Sequence, residues 1–174
     1  MGSETRKEII SWIVVITAAV LSALFINGYI IVHANVPTGS MLDTIPLESR
    51  VVGLKLTYLF SEPQRYDVVV FPFPDHEEEL FVKRIIGLPG ETITIADGKV
   101  YVNDDPEPLR DDFIREPSRY TGGPFVVPEG HYFMMGDNRN DSRDSREWVN
   151  KYVSREKIIG KLYFSYYPQI KWIE

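Results

Sequence analysis

The chain contains no cysteine. Disulfides, thiol nucleophiles and thiolate metal sites are therefore excluded. Histidine is nearly as scarce: His33, His76 and His131 are the whole supply. They are isolated from one another, which is the wrong spacing for a zinc site. Basic charge is in deficit, with 19 Lys and Arg against 25 Asp and Glu and a net charge of -6. Nothing supplies the basic face that nucleic-acid binding requires. There is no internal repeat and no low-complexity run. An apolar content of 44% beside 25% charged residues belongs to a folded chain.

Charge is also missing locally. Residues 9–32 hold no Asp, Glu, Lys or Arg, and their polar members are Ser11, Thr17, Ser22 and Asn27. As a helix this run covers roughly 36 Å at about 1.5 Å per residue, against a hydrocarbon core of about 30 Å. It is longer than the apolar region of about 7–15 residues in a cleaved signal peptide, and it lacks the polar face of a surface helix. A transmembrane helix is expected at 9–32, after a tail at 1–8 and before a domain at 33–174. Arg6 and Lys7 precede the run, and the first basic residue after it is Arg50. That asymmetry places the N-terminus in the cytoplasm and the domain on the outer face of a cell membrane, with a single pass.

The domain lacks sustained helical spacing and reads as strands. "RVVGLKL" (50–56), "YDVVVFPF" (66–73), "ELFVKRIIG" (79–87), "HYFMMG" (131–136) and "IIGKLYFSYY" (158–167) are rich in β-branched and aromatic residues. "ETITI" and "KVYVN" flank Ala96-Asp97-Gly98, a hairpin signal. The expected fold is mainly β: an antiparallel β-sheet domain behind one N-terminal transmembrane helix. Residues 103–124 are rich in Asp, Pro, Arg and Gly. With the hairpin they form either a small inserted lobe at 88–124 or a mobile surface loop.

Three stretches carry possible chemistry. In "VPTGSMLDTI" (36–45), Ser40 is a nucleophile or merely a turn residue. A hydroxyl needs a base, and no local pattern ties a histidine to it, so a Ser-His-Asp triad is unsupported. Lysine serves if burial lowers its pKa from about 10.4. Lys83, in "LFVKRIIG", shares a strand face with Phe81 and Ile85. It is either that base or an edge lysine that blocks aggregation. Arg84 then faces the other way and needs a partner. "GDNRNDSRDSREW" (136–148) is a hydrogen-bonded or merely solvated loop. Counted from Asp137 as a calcium loop, its third position is Arg139 and its sixth is Ser142. Neither fits, and Arg143 and Arg146 repel a cation, so no metal and no cofactor are expected.

In this order, behind this anchor, the stretches resemble the type I signal peptidases (leader peptidases), in the Gram-positive bacterial style with one span. "TGSM" is similar to the family's nucleophile motif, "RYDVVVF" to its structural strand, "KRIIGLPGE" to its lysine motif and "GDNRNDSRDSR" to its last motif. The resemblance runs from the anchor to about Trp148. It implies a serine endopeptidase with Ser40 as nucleophile and Lys83 as general base. Thr38 and the Ser40 amide would hold the oxyanion. Ser142 would orient the lysine, and Arg84–Asp137 and Asp144–Arg146 would be supporting ion pairs. Substrates would be exported preproteins with small-x-small cleavage sites. Met41, Leu42 and Ile45 are candidates for contact with the lipid bilayer. The family commonly has Pro where this chain has Asp43, Gly-Asp at Glu48-Ser49, and Gly at Tyr66 and at Val149. Two other classes remain: an anchored binding or assembly protein with the same fold, and a self-cleaving Ser-Lys regulator. The latter would need a DNA-binding or cytosolic partner domain.

Overall fold

The structure, a computed structural model, describes residues 2–42 and 44–173. Helix α1 (Ser3–Phe25) runs into a wider π-helical turn, Ile26–Ile30. The continuous helix, Glu4–Ile30, has 27 residues and a mean hydropathy of 2.7, and none of its most apolar 18-residue stretch is buried by the rest of the protein. At about 1.5 Å per residue that is roughly 40 Å, long enough to cross a bilayer. The helix stops two residues before the expected end. Ile31 and Val32 open strand β1 (Ile31–Val36) instead, with Val32, Ala34 and Val36 buried and His33 and Asn35 exposed. An apolar run that passes from helix to half-buried strand without a break hides that boundary from sequence.

The domain is mainly antiparallel β, as expected. Its large sheet contains β1, β2 (Ser49–Leu54), β3 (Val68–Phe73), β4 (His76–Gly87), β8 (His131–Met135), β9 (Tyr152–Ser154) and β10 (Gly160–Tyr167). The order is β1-β2-β10-β3-β4-β8-β9, with β11 (Lys171–Trp172) paired to β10. A second sheet, β6 (Lys99–Val102), β5 (Thr92–Ala96) and β7 (Gly122–Val126), packs Ile93, Ile95 and Val100 against Ile86, Phe133 and Met135. Its β5–β6 turn holds Asp97 and Gly98 at φ 49° and 78°, the left-handed pair that a two-residue hairpin requires.

Two features of the large sheet position the site. Among the described residues, strand β1 is an edge strand, paired only with β2. Strand β4 pairs with β3 along most of its length, but β8 joins it only from Arg84 onward. Residues 79–82 of β4 therefore present an unpaired edge. Together with Asn35 and Val36 of β1 it walls an open cleft of about 330 Å³.

Candidate active site

Ser40 sits in a short 3-10 turn, Gly39–Met41, immediately after β1. Thr38 is still extended, and the chain then tightens through Leu42 N–H to Gly39 O (3.0 Å) and Ile45 N–H to Met41 O (2.6 Å). Met41 and Ile45 are 0% exposed and lie in the core cluster with Val51, Val70 and Leu162. This corrects their expected contact with lipid: both plug the turn into the protein interior, and only Leu42, 43% exposed, faces outward. Asp43 lies outside the described residues.

Strand β4 brings Lys83 to the same place. Its Nζ is 2.5 Å from Ser40 Oγ, and the two residues are only 3% and 7% exposed. Burial is the main cause that lowers the Lys83 pKa from 10.5 to about 8, with Arg146 adding to it while Asp144 and Asp137 oppose. Thr38 Oγ1 lies 3.4 Å from Ser40 Oγ at the mouth of the cleft. The histidines are elsewhere: His33 packs edge-on to Tyr166, His76 pairs with Glu79 at 3.1 Å, and His131 Nδ1 is 2.9 Å from Glu129 O. Among the described residues no group of acidic or histidine side chains is arranged to hold a metal.

The loop at 136–148 packs against the nucleophile turn. Asn138 N–H donates to Ser40 O and Asn138 Nδ2 to Gly39 O, both at 3.0 Å. Asp137 N–H meets Met41 Sδ at 3.4 Å. The Asp137 carboxylate takes two bonds from Arg84, at 2.8 and 2.7 Å, and a third from Thr44 Oγ1. Arg84 is 1% exposed and Asp137 is likewise buried, so this pair is fully desolvated and relies on its bidentate geometry. Asp144 binds Arg146 the same way, at 2.7 Å twice, and also accepts Gly136 N–H at 2.9 Å.

Ser142 departs from its expected contact. Its Oγ is buried and makes no hydrogen bond to a described residue, so the expected Ser142–Lys83 bond is not formed here. Ser142 instead packs on Gly136, where an added Cβ would lie 2.1 Å from Ser142 Oγ and 2.5 Å from Ser40 O. Only glycine permits that approach. Gly136, Thr44 and Asn138 are site residues that sequence reading missed. Gly136 lies against Ser40 O, Asn138 bonds Gly39 and Ser40, and Thr44 bonds Asp137, each across more than ninety positions of sequence.

The family described as "Signal peptidase, peptidase S26" matches residues 9–167. Signal peptidase I of Leptolyngbya laminosa is 37% identical over 157 residues, covering 86% of this chain and 75% of its own. Signal peptidase I S of Bacillus subtilis is 34% identical over 182 residues, covering 94% of this chain and 91% of its own. A crystal structure of a signal peptidase I from Enterococcus faecalis, 33% identical, covers 59% of this chain and 97% of its own at a TM-score of 0.49. The chain thus belongs to the signal peptidase family, peptidase S26: it is a membrane-anchored serine endopeptidase that removes signal peptides from exported preproteins.

Proposed function

We propose that Ser40 and Lys83 form the catalytic dyad of this peptidase. The observation that carries the assignment is the buried 2.5 Å contact between Ser40 Oγ and a lysine whose pKa is lowered to about 8. Neutral Lys83 accepts the Ser40 proton as Oγ attacks the scissile carbonyl carbon. The oxyanion is held by the Ser40 amide and the Thr38 hydroxyl, each such donor contributing about 3–4 kcal/mol. Protonated Lys83 then gives its proton to the leaving amine nitrogen as the C–N bond breaks. Water attacks the acyl ester, Lys83 takes the water's proton, and Ser40 regains its own. No metal or cofactor takes part.

Arg84–Asp137 and Asp144–Arg146 support the site. Ser142 supports it through close packing on Gly136 rather than through a hydrogen bond. The substrate binds extended in the cleft between the free edges of β1 and β4, adding a strand. Val36, Phe81 and Val82 fill the cleft walls, so its pockets are shallow and select small side chains at alternate positions before the cleaved bond. Residues 1–8 form the cytoplasmic tail, and the domain, with the β5–β6–β7 sheet as its inserted lobe, lies on the outer face of the cell membrane. Lipid contact falls on Ile170, Trp172, Tyr166 and Tyr167, all exposed. Trp172 lines an apolar hollow with Ile31, Val52, Leu54, Tyr163 and Phe164, and Ile31 follows the last residue of the anchor helix.

The test is Lys83→Met, which keeps bulk and deletes the base. The purified variant should leave a preprotein uncleaved. Cleavage at close to the wild-type rate would reject the dyad.

A further inference from the structure

Residues 110–115, "RDDFIR", lie in an irregular segment between β6 and β7. The segment is tied to the 136–148 loop, because Asp111 Oδ1 accepts from Arg139 Nη2 at 2.9 Å. It is also laid across Arg84. The Phe113 ring centroid lies 4.2 Å from the Arg84 guanidinium carbon and 5.7 Å from that of Arg139. Tyr66 packs edge-on to Phe113 at 5.7 Å, and the Arg110 guanidinium covers the Tyr66 ring at 4.9 Å. Arg110, Tyr66, Phe113 and Arg84 thus form one continuous stack.

Tyr66 is held in this stack against its own backbone preference. Its φ is 74°, the left-handed region that a bulky residue rarely adopts and that costs free energy. In that conformation its N–H reaches Ile85 O and its carbonyl accepts from Arg84 Nη1, both at 2.8 Å. Tyr66 therefore meets Arg84 twice, directly through its carbonyl and through its ring by way of Phe113. The edge of the guanidinium is occupied by Asp137, Thr44 and the Tyr66 carbonyl, and one face by Phe113. Asp137 in turn holds the segment that begins one residue after Ser40 at two points, Met41 Sδ and Thr44 Oγ1, and Arg84 bonds Thr44 as well.

We infer that Phe113 and Tyr66 are positioning residues for the peptidase reaction. They fix the plane of the Arg84 guanidinium and keep water from it, and through Asp137 and Thr44 they set where the turn presents Ser40. The inference rests on the assignment of Ser40 and Lys83. A flat ring is needed because a planar cation stacks on it at a defined angle. Displacement of the Ser40 turn by about 1 Å is enough to lose up to about 100-fold in rate.

The experiment compares Phe113→Ala, Phe113→Tyr, Tyr66→Gly, the Tyr66→Gly/Phe113→Ala double variant and Lys83→Met. All are full chains in detergent, with kcat and KM measured on a signal-peptide substrate and folding checked by thermal melting. Phe113→Ala should lower kcat by about 10- to 100-fold with KM within about twofold, because the substrate cleft is untouched. Phe113→Tyr should restore kcat. Tyr66→Gly should lower kcat although glycine accepts the left-handed backbone without strain. The double variant should be no worse than Phe113→Ala within about twofold, since both act through one guanidinium. The inference is overturned if Phe113→Ala keeps kcat, if Phe113→Tyr is no better than alanine, if Tyr66→Gly is fully active, or if the two losses simply multiply. Lys83→Met separates the two readings. If it is inactive while Phe113→Ala is normal, only this inference fails; if it is active, the dyad fails.

Discussion

The pKa of Lys83 makes the catalytic assignment quantitative. Burial brings it from 10.5 to about 8, in spite of the opposing charges of Asp144 and Asp137. A base must be neutral to accept the Ser40 proton. At pH 7 about one Lys83 in ten is then neutral, against about one in three thousand for an unperturbed lysine. At pH 6 the neutral share falls to about one in a hundred, and at pH 9 it is about nine-tenths. The value of kcat/KM on a signal-peptide substrate should therefore rise about tenfold per pH unit below pH 7.5 and level off above about pH 8.5. The same burial acts on stability. Between about pH 8 and 10.5 the unfolded chain keeps the lysine proton that the folded chain has lost, so stability rises with pH across that window. Below it, holding the ammonium inside costs about 3 kcal/mol. Lys83→Met should thus be inactive yet melt at a higher temperature than wild type at pH 7, and its stability should lose the rise above pH 8. A pH–rate profile flat down to pH 5, or one with its midpoint near the histidine value of about 6.5, would refute the reasoning.

Three further outcomes are expected. Gly136→Ala drives a methyl against Ser142 Oγ and Ser40 O; it should cost about 1–3 kcal/mol of stability and slow acylation of Ser40 by a serine-directed probe, whereas normal acylation would show that the loop yields. Asp137→Asn leaves the buried Arg84 guanidinium without its counter-charge and should destabilise by about 3–5 kcal/mol in a thermal melt; an unchanged melt would mean that water reaches the pair. Ile170→Ser with Trp172→Ser removes two side chains that are 80% and 68% exposed. It should slow cleavage of a vesicle-embedded precursor while a short soluble peptide is cut as before. Equal rates on the precursor would place the lipid contact elsewhere.

The strands carrying the site were legible because their composition is extreme: "DVVVF" and "FVKRII" leave few options beyond buried strands. Lys83 stood out for a related reason, as a charge among Phe81, Val82, Ile85 and Ile86. The misses have physical causes. The first two residues of strand β1 fall within the expected anchor because helix and strand share one apolar run. Strand β7 begins Gly122-Gly123-Pro124, which reads as a turn, and it survives as an edge strand paired only with β5. Met41 and Ile45 looked like exposed loop residues because nothing local shows that the turn after Ser40 is inserted into the core. Asn138 and Thr44 act on residues reached only after the sheet has formed. The departures at Glu48 and Tyr66 from the glycines common in the family mark left-handed backbone, at φ 56° and 74°. Tolerance of a side chain there depends on what its ring or carbonyl meets, which sequence does not tell.

One strand supplies both the proposed base and the support behind it. Lys83 and Arg84 are adjacent on β4, and the pleat sends neighbouring side chains to opposite faces. Lys83 reaches forward to Ser40, while Arg84 reaches back to Asp137, Thr44 and the Tyr66 carbonyl. The register is fixed by Phe71 opposite Phe81 and Val69 opposite Lys83, with Phe73 and Phe81 stacked at 4.4 Å. A slip of one residue would exchange the two cations. A guanidinium would then face Ser40, and because arginine does not lose its proton in proteins it has no lone pair to accept the hydroxyl proton. The aromatic packing of β3 on β4 therefore serves the proposed dyad as much as the core: it decides which of two neighbouring cations meets the serine.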